Sequence, residues 1–87
     1  MIRLLGGPKF EKDVKDTPKD VRVKLAILLE FLQRDPFDPR LHIKKLKEPF
    51  EGVFSFRITR DWRVMFKFLA PREILLLHVK HRKDIYR

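Results

Sequence analysis

Between Val53 and Thr59, Phe54, Phe56 and Ile58 fall on one side of an extended chain, while Ser55 and Arg57 fall on the other. The same period of two recurs from Trp62 to Phe68, where Trp62, Val64, Phe66 and Phe68 alternate with Arg63, Met65 and Lys67. Both patterns predict half-buried strands. The intervening Thr59-Arg60-Asp61 predicts a hairpin loop that sets Ile58 opposite Trp62 and Arg57 opposite Arg63, so that apolar partners meet. Residues 73–81 are mostly apolar through Ile74, Leu75, Leu76, Leu77 and Val79, the pattern of a strand covered on much of both faces and expected at the centre of the sheet. A connection Ala70-Pro71-Arg72-Glu73, with Pro71 at the second position of a type I turn, pairs Phe68 with Leu75, Phe66 with Leu77, Val64 with Val79 and Arg63 with Lys80.

The half of the chain before this meander reads differently. Ile2 to Leu5 is a short apolar run ending at Gly6-Gly7-Pro8, which predicts a first strand and a turn. Pro8 to Asp16 places Phe10 and Val14 on one side of a short helix. Thr17 is then expected as N-cap of a second helix, with Pro18 at its first position and Asp20 near the positive end of its dipole. That helix runs to Gln33 or Arg34, where Asp35-Pro36 stops it. Its stripe of Val21, Leu25, Leu28, Leu29 and Leu32 has helical spacing and is the natural cover for the Phe54/Phe56/Phe66 face. Asp35 to Arg40 is an irregular connection leading into the basic segment Leu41 to Lys47. The expected fold is α+β: a short first strand, a helical hairpin and a three-stranded antiparallel meander, with the helices packed on one face of the sheet. Residues 1–87 are read as a single domain.

Charge changes the picture of the other face. With 21 Lys and Arg against 12 Asp and Glu the chain carries +9, which predicts long-range attraction to polyanions, nucleic acid first among them. On the expected register, Ser55, Arg57, Arg63, Lys67, His78 and Lys80 share the outer face, with Arg82 following at the same parity. Like charges directly opposite on a sheet cost about 0.2–1 kcal/mol per pair. No acid is evident among Arg57, Arg63 and Lys80, so an anionic ligand is the expected resolution. Cysteine is absent, which rules out disulfides and thiolate metal sites and suits a reducing cytoplasm. No charged region followed by an apolar one opens the chain, and no apolar run reaches the length of a membrane span; a cytoplasmic protein with no membrane partner is expected.

The available chemistry is narrow. His42, His78 and His81 lack helical spacing and clustered carboxylates, so no metal is expected. There is no glycine-rich phosphate loop, and Ser55 lacks the context of a nucleophile elbow; no small-molecule cofactor is expected either. What remains is Arg, Lys, His and Tyr. Such a set can cleave RNA without metal, because the ribose 2′-OH attacks the adjacent phosphorus once a base takes its proton, cations hold the phosphate, and an acid protonates the leaving 5′-oxygen. Arg57 and Arg63 suit the phosphate, His81 offers an imidazole for proton transfer, and Tyr86 stacks on a base or donates its hydroxyl. Equally open are plainer roles: His81 packed beside Trp62, and Tyr86 closing the sheet edge as core.

From Gly52 through Ser55-Phe56-Arg57-Ile58-Thr59-Arg60-Asp61-Trp62-Arg63-Val64-Met65-Phe66, and again from Val79-Lys80-His81-Arg82-Lys83-Asp84-Ile85-Tyr86-Arg87, the chain resembles the RelE/ParE superfamily of toxins from bacterial and archaeal toxin–antitoxin pairs. The order of a strand, two helices and a terminal meander is similar over essentially the whole length. The RelE branch implies ribosome-dependent cleavage of mRNA, inhibition of translation and neutralisation by a cognate acidic antitoxin that wraps the toxin. Carried over by position, the resemblance implies a catalytic or phosphate-binding set of Arg57, Arg63, Arg82 and Tyr86, to which the residue chemistry adds His81. Lys44, Lys45, Lys47, Lys80 and Lys83 are the expected RNA contacts. Ser55 stands where some members have a basic residue, and Lys44 or Lys45 where the YoeB-like branch has a glutamate base. The general base is therefore open between His81 and a lysine among Lys44, Lys45 and Lys47. The Trp62-Arg63 pair is similar to HigB-like members. Three classes stay in view: an mRNA-cleaving toxin, which the His81-Arg82…Tyr86 ending favours; a ParE-like gyrase poison; and a basic nucleic-acid-binding domain without catalysis.

Overall fold

The computed structural model describes residues 1–85, so Tyr86 and Arg87 lie outside the described residues. In chain order the elements are β1 (Arg3–Gly6), α1 (Pro8–Asp16), α2 (Lys19–Arg34), a 3-10 turn (Pro39–Leu41), β2 (Lys44–Lys45), β3 (Phe54–Arg57), β4 (Trp62–Ala70), β5 (Glu73–His81) and a second 3-10 turn (Arg82–Asp84). The strands form one five-stranded sheet in the order β1-β5-β4-β3-β2. The α+β class and the meander β3-β4-β5 are as expected, and two strands extend them. β2 adds an antiparallel edge, with Lys44 opposite Ser55 and Lys45 opposite Phe54. β1 lies parallel to β5 at the other edge, Arg3 opposite Glu73 and Gly6 opposite Leu76. The middle of the sheet is therefore β4; β5 is internal, between β4 and β1.

One face of the sheet carries the main core. Phe56, Ile58, Val64, Phe66, Ile74, Leu76 and Val79 meet Phe10 of α1 and Val21, Leu25, Leu28 and Leu32 of α2, all buried. Burying each such side chain stabilises the fold by about 1.5–3 kcal/mol, which is why two short helices hold firmly to a small sheet. Leu29, the remaining member of the predicted stripe, packs against this core while partly exposed. The opposite face is not bare: Leu46, Met65 and Ile85 form a second buried cluster with Phe50, Val53 and Leu77 around it. Among the described residues no helix is long and apolar enough to cross a membrane.

Three local expectations are corrected. Thr17 does not cap α2: Pro18 occupies that position without a side-chain bond, and the buried Thr17 hydroxyl donates back to the Val14 carbonyl at 2.6 Å, closing α1 instead. A Thr hydroxyl can satisfy an orphan group at either neighbouring helix end, and here the C-terminal end of α1 takes it. The register between β4 and β5 begins as expected, with Trp62 opposite His81, Arg63 opposite Lys80 and Val64 opposite Val79. It then slips. Met65 faces His78 but Phe66 faces Leu76, and Phe68 faces Ile74, so Leu77 is an extra residue and the pairs Phe66–Leu77 and Phe68–Leu75 do not form. This β-bulge rotates Leu76 and Ile74, rather than Leu77 and Leu75, onto the helix side.

The third correction concerns His78, which does not stand in a row of cations. β1 pairs with β5 only as far as Leu76, leaving the last residues of β5 with an open edge. Asp13 of α1 covers that edge: its Oδ2 accepts from the Val79 amide at 3.1 Å and lies 3.1 Å from His78 Nδ1. Gly7 sets the helix close enough to do this, since its amide donates to the Leu76 carbonyl at 3.0 Å and a Cβ there would stand 3.3 Å from the same oxygen. Asp13→Ala is expected to cost about 1–3 kcal/mol, the penalty for leaving a partly buried donor without its partner. Urea unfolding reads this as a lower midpoint at unchanged slope; an unchanged midpoint would show that water replaces the carboxylate without loss.

Candidate nucleic-acid cleft

The hairpin loop between β3 and β4 fixes the first two cations of the site. The amides of Ile58 and Thr59 donate to the Trp62 carbonyl at 2.9 and 3.3 Å, and the Thr59 hydroxyl accepts from the Asp61 and Trp62 amides. With the loop so held, Arg57 faces Arg63 directly across the strands, as their spacing predicts, and Lys80 faces Arg63 from the other side. Arg82 reaches the same place from the far end of the chain. Its amide donates to the Asp61 carbonyl at 2.7 Å and its guanidinium lies 3.5 Å from the Asp61 carboxylate, so the loop that places Arg57 and Arg63 also places Arg82. That ion pair is half-exposed on both sides and contributes little to stability, about 0–1 kcal/mol.

Together these elements enclose a cleft of about 290 Å³ lined by His42, Lys44, Leu46, Ser55, Arg57, Arg63, Arg82 and Ile85. Ser55 is buried in its floor at 2% exposure, and the second apolar cluster supplies Leu46 and Ile85 to its wall. Among the described residues neither Arg57 nor Arg63 has a carboxylate within ion-pair distance. Three guanidinium groups and an ammonium around one small opening form a field that favours an anion with several acceptor oxygens, and their planar forks suit phosphate.

The other expected site residues fall elsewhere. His81 does not line the cleft: its ring packs edge-on against Trp62 with centroids 5.4 Å apart, and its Nδ1 accepts from the Lys83 amide at 3.3 Å. A nitrogen that accepts is unprotonated, so the neutral ring carries its proton on Nε2. Lys80 and Lys83 lie beside the opening, on β5 and in the following turn, without lining it. Lys45 points to the Phe54 side of the edge strand, and Lys47 is exposed beyond it. Tyr86 lies outside the described residues.

His42 is the residue that sequence reasoning passed over. It follows the 3-10 turn with φ 50° and ψ 50°, a left-handed conformation uncommon for a side chain with a Cβ, and lines the cleft beside Lys44 and Arg57. A signal for it existed. Leu41 is fully buried and Ile43 partly so, which leaves His42, Lys44 and Leu46 at one parity, the parity that β2 turns towards Ser55. The segment is too short and too basic to read as a strand without its partner.

A second opening of about 270 Å³ lies on the other side of His42 and Arg57, lined also by Lys24, Leu28, Arg40, Ile58, Thr59 and Arg60. Arg40 is already occupied there. It holds Asp38 at 2.7 Å, lies 3.7 Å over the Phe31 ring, and its side-chain hydrogen bond lowers the Asp38 carboxyl to about 2.

No protein-family model matches the chain, and no curated protein sequence does either. Solved structures do. YafQ from E. coli strain BL21(DE3) matches at a TM-score of 0.81 and 19% identity over 100% of both chains. A YoeB/ParE toxin from Agrobacterium tumefaciens matches at 0.77 and 18% identity, over 93% of this chain and 99% of that one. The RelB-RelE antitoxin-toxin complex from Methanococcus jannaschii matches at 0.75 and 25% identity, over 94% of each chain. Agreement along nearly the whole length of all three, with the sheet order and both helices in place, gives this protein the fold of the RelE/ParE toxins that its sequence resembles.

Proposed function

We propose that the protein is the toxin of a type II toxin–antitoxin pair and cleaves mRNA on the ribosome without a metal ion. The observation that carries this reading is the convergence of Arg57, Arg63, Arg82 and Lys44 on one cleft whose first two guanidinium groups have no internal acid among the described residues. The sheet bears their repulsion in the free protein, and a bound phosphate relieves it. In the proposed reaction the 2′-oxygen attacks the adjacent phosphorus as its proton passes to a base. The P–O5′ bond then breaks, the 5′-oxygen takes a proton from an acid, and a 2′,3′-cyclic phosphate is left. Arg57 and Arg63 hold the non-bridging oxygens as charge builds on them, and Arg82 closes from the opposite wall. His42 is the imidazole that lines the cleft and exchanges protons there; Lys44 beside it is a further contact to RNA. His81, one residue before Arg82, is proposed as a proton carrier at the edge of the cleft, donating to the leaving oxygen when its ring is an imidazolium, and Tyr86 as a stacking platform for a base. Lys45, Lys47, Lys80 and Lys83 extend the basic surface around the opening for RNA.

A cognate antitoxin is the second proposed partner. RelE from Methanococcus jannaschii, whose fold this chain has, is in complex with the antitoxin RelB. The net charge of +9 calls for an acidic segment across the cleft, and a shared cytoplasmic location for both partners is part of the proposal.

Purified protein added to ribosomes programmed with a defined mRNA is expected to cut that mRNA and leave plasmid DNA in the presence of gyrase uncut. The opposite result, intact mRNA with cleaved plasmid, would replace this reading by gyrase poisoning. Binding to RNA is expected to weaken by about 10-fold or more between 50 and 200 mM salt, as counterions released from several phosphates require. A flat response would exclude a phosphate-dominated interface.

A further inference from the structure

The catalytic cleft does not end at His42 and Arg57. Both residues also line the second opening, so the two openings adjoin across His42 and Arg57 at the end of β3, the second lying between the β3–β4 loop and α2. The far half is built from three separate elements: Lys24 projects from α2, Arg60 from the hairpin loop and Arg40 from the 3-10 turn. Lys24 and Arg60 are exposed and have no carboxylate partner among the described residues, while Arg40 is held by Asp38. Leu28 and Ile58 are buried beneath them and give the opening an apolar floor.

From this arrangement we infer a second nucleotide subsite: Lys24 and Arg60 hold the phosphate that neighbours the scissile one in the same RNA strand, and Arg57 with His42 forms the partition between the two. The inference rests on the RNA-cleaving reading above and gives it an extent, since the site then takes a strand of at least two successive phosphates rather than one linkage. The chemistry of the far half fits that ligand. Lys24 is a point charge on a flexible stem and Arg60 a guanidinium on an exposed hairpin loop, enough for a phosphate that needs only to be positioned, whereas Arg57 and Arg63, set opposite each other by strand pairing, are kept for the phosphate that reacts. The floor of Leu28 and Ile58 offers no base-specific hydrogen bond, so the subsite holds backbone without reading sequence.

The test uses 2′-O-methyl oligoribonucleotides, which present the same phosphates but lack the nucleophile, so binding is measured apart from cleavage. A dinucleotide carries one phosphate linkage and a hexanucleotide several. Lys24→Ala/Arg60→Ala is expected to lower hexanucleotide affinity about 10-fold at low salt and to flatten its salt slope by about 1, while leaving dinucleotide affinity unchanged. Both side chains are exposed, and Lys24→Glu serves as a second variant with a larger loss on the hexanucleotide. Equal loss on both ligands, no loss on the hexanucleotide, or no hexanucleotide binding by either protein overturns the subsite. Wild-type protein that leaves ribosome-bound mRNA intact overturns the ribonuclease reading instead, whatever the oligonucleotides do.

Discussion

Arg63→Ala is expected to lower mRNA cleavage by about 10²–10³-fold, the loss that follows removal of one preorganised donor to a developing oxyanion. Arg63 is singled out by its place in the sheet. It is partly buried, faces Arg57 on one side and Lys80 on the other, and opens into the cleft between them. The same neighbours make a second expectation possible. Removing a cation from the middle of three relieves repulsion, so the variant is expected to melt at the wild-type temperature or slightly above it. Lost cleavage with preserved or raised stability is the signature of a residue held for function at the expense of the fold. Arg63→Lys keeps the charge without the fork and is expected to recover only a small part of the rate. Cleavage by Arg63→Ala at the wild-type rate would remove Arg63 from the site, and loss of both rate and fold would make it a structural residue.

Phe66→Ala is expected to produce the largest loss of stability, about 3–5 kcal/mol. Phe66 is completely buried at the centre of β4, with ring centroids 5.7 Å from Phe54, 6.1 Å from Phe56 and 5.9 Å from Phe68. Removing it opens a cavity bounded by three other rings and by α2, none of which collapses inward without breaking the strand pairing. Domains of this size are stable by about 5–15 kcal/mol in total, so the variant loses a large share of its margin. Thermal unfolding is expected to fall by roughly 12 °C or more, and Phe66→Leu by much less. Because Phe66 lies on the helix face, residual folded protein should still bind RNA; a variant that melts normally would mean that the ring cluster contributes little.

Much of the site was legible because its geometry is local. The alternation around Phe54, Phe56 and Ile58, and again around Val64 and Phe66, places Arg57 and Arg63 on one face, and the Thr59-Arg60-Asp61 loop sets them opposite each other. Arg82 follows from the parity of β5 and from its resemblance to a family position, whereas the loop carboxylate Asp61 that anchors it was not foreseen. His42 was missed because β2 is two residues long and exists only as an addition to β3. His78 was misplaced because its partner Asp13 is far away in sequence, on the first helix.

By itself the sequence determined the two helices, the three strands of the meander and the shared face of Arg57 and Arg63, since each follows from the periodicity of a few consecutive side chains and the stereochemistry of one turn. Only the tertiary structure decided the slip in β5, where Ile74-Leu75-Leu76-Leu77 presents an apolar side chain in either register and the fit against α1 and α2 selects Ile74 and Leu76. It likewise decided the parallel docking of β1, the Asp13 cover on the open edge and the meeting of His42 with Arg57. Each of these joins segments distant along the chain, and no local pattern carries the free energy of such a contact.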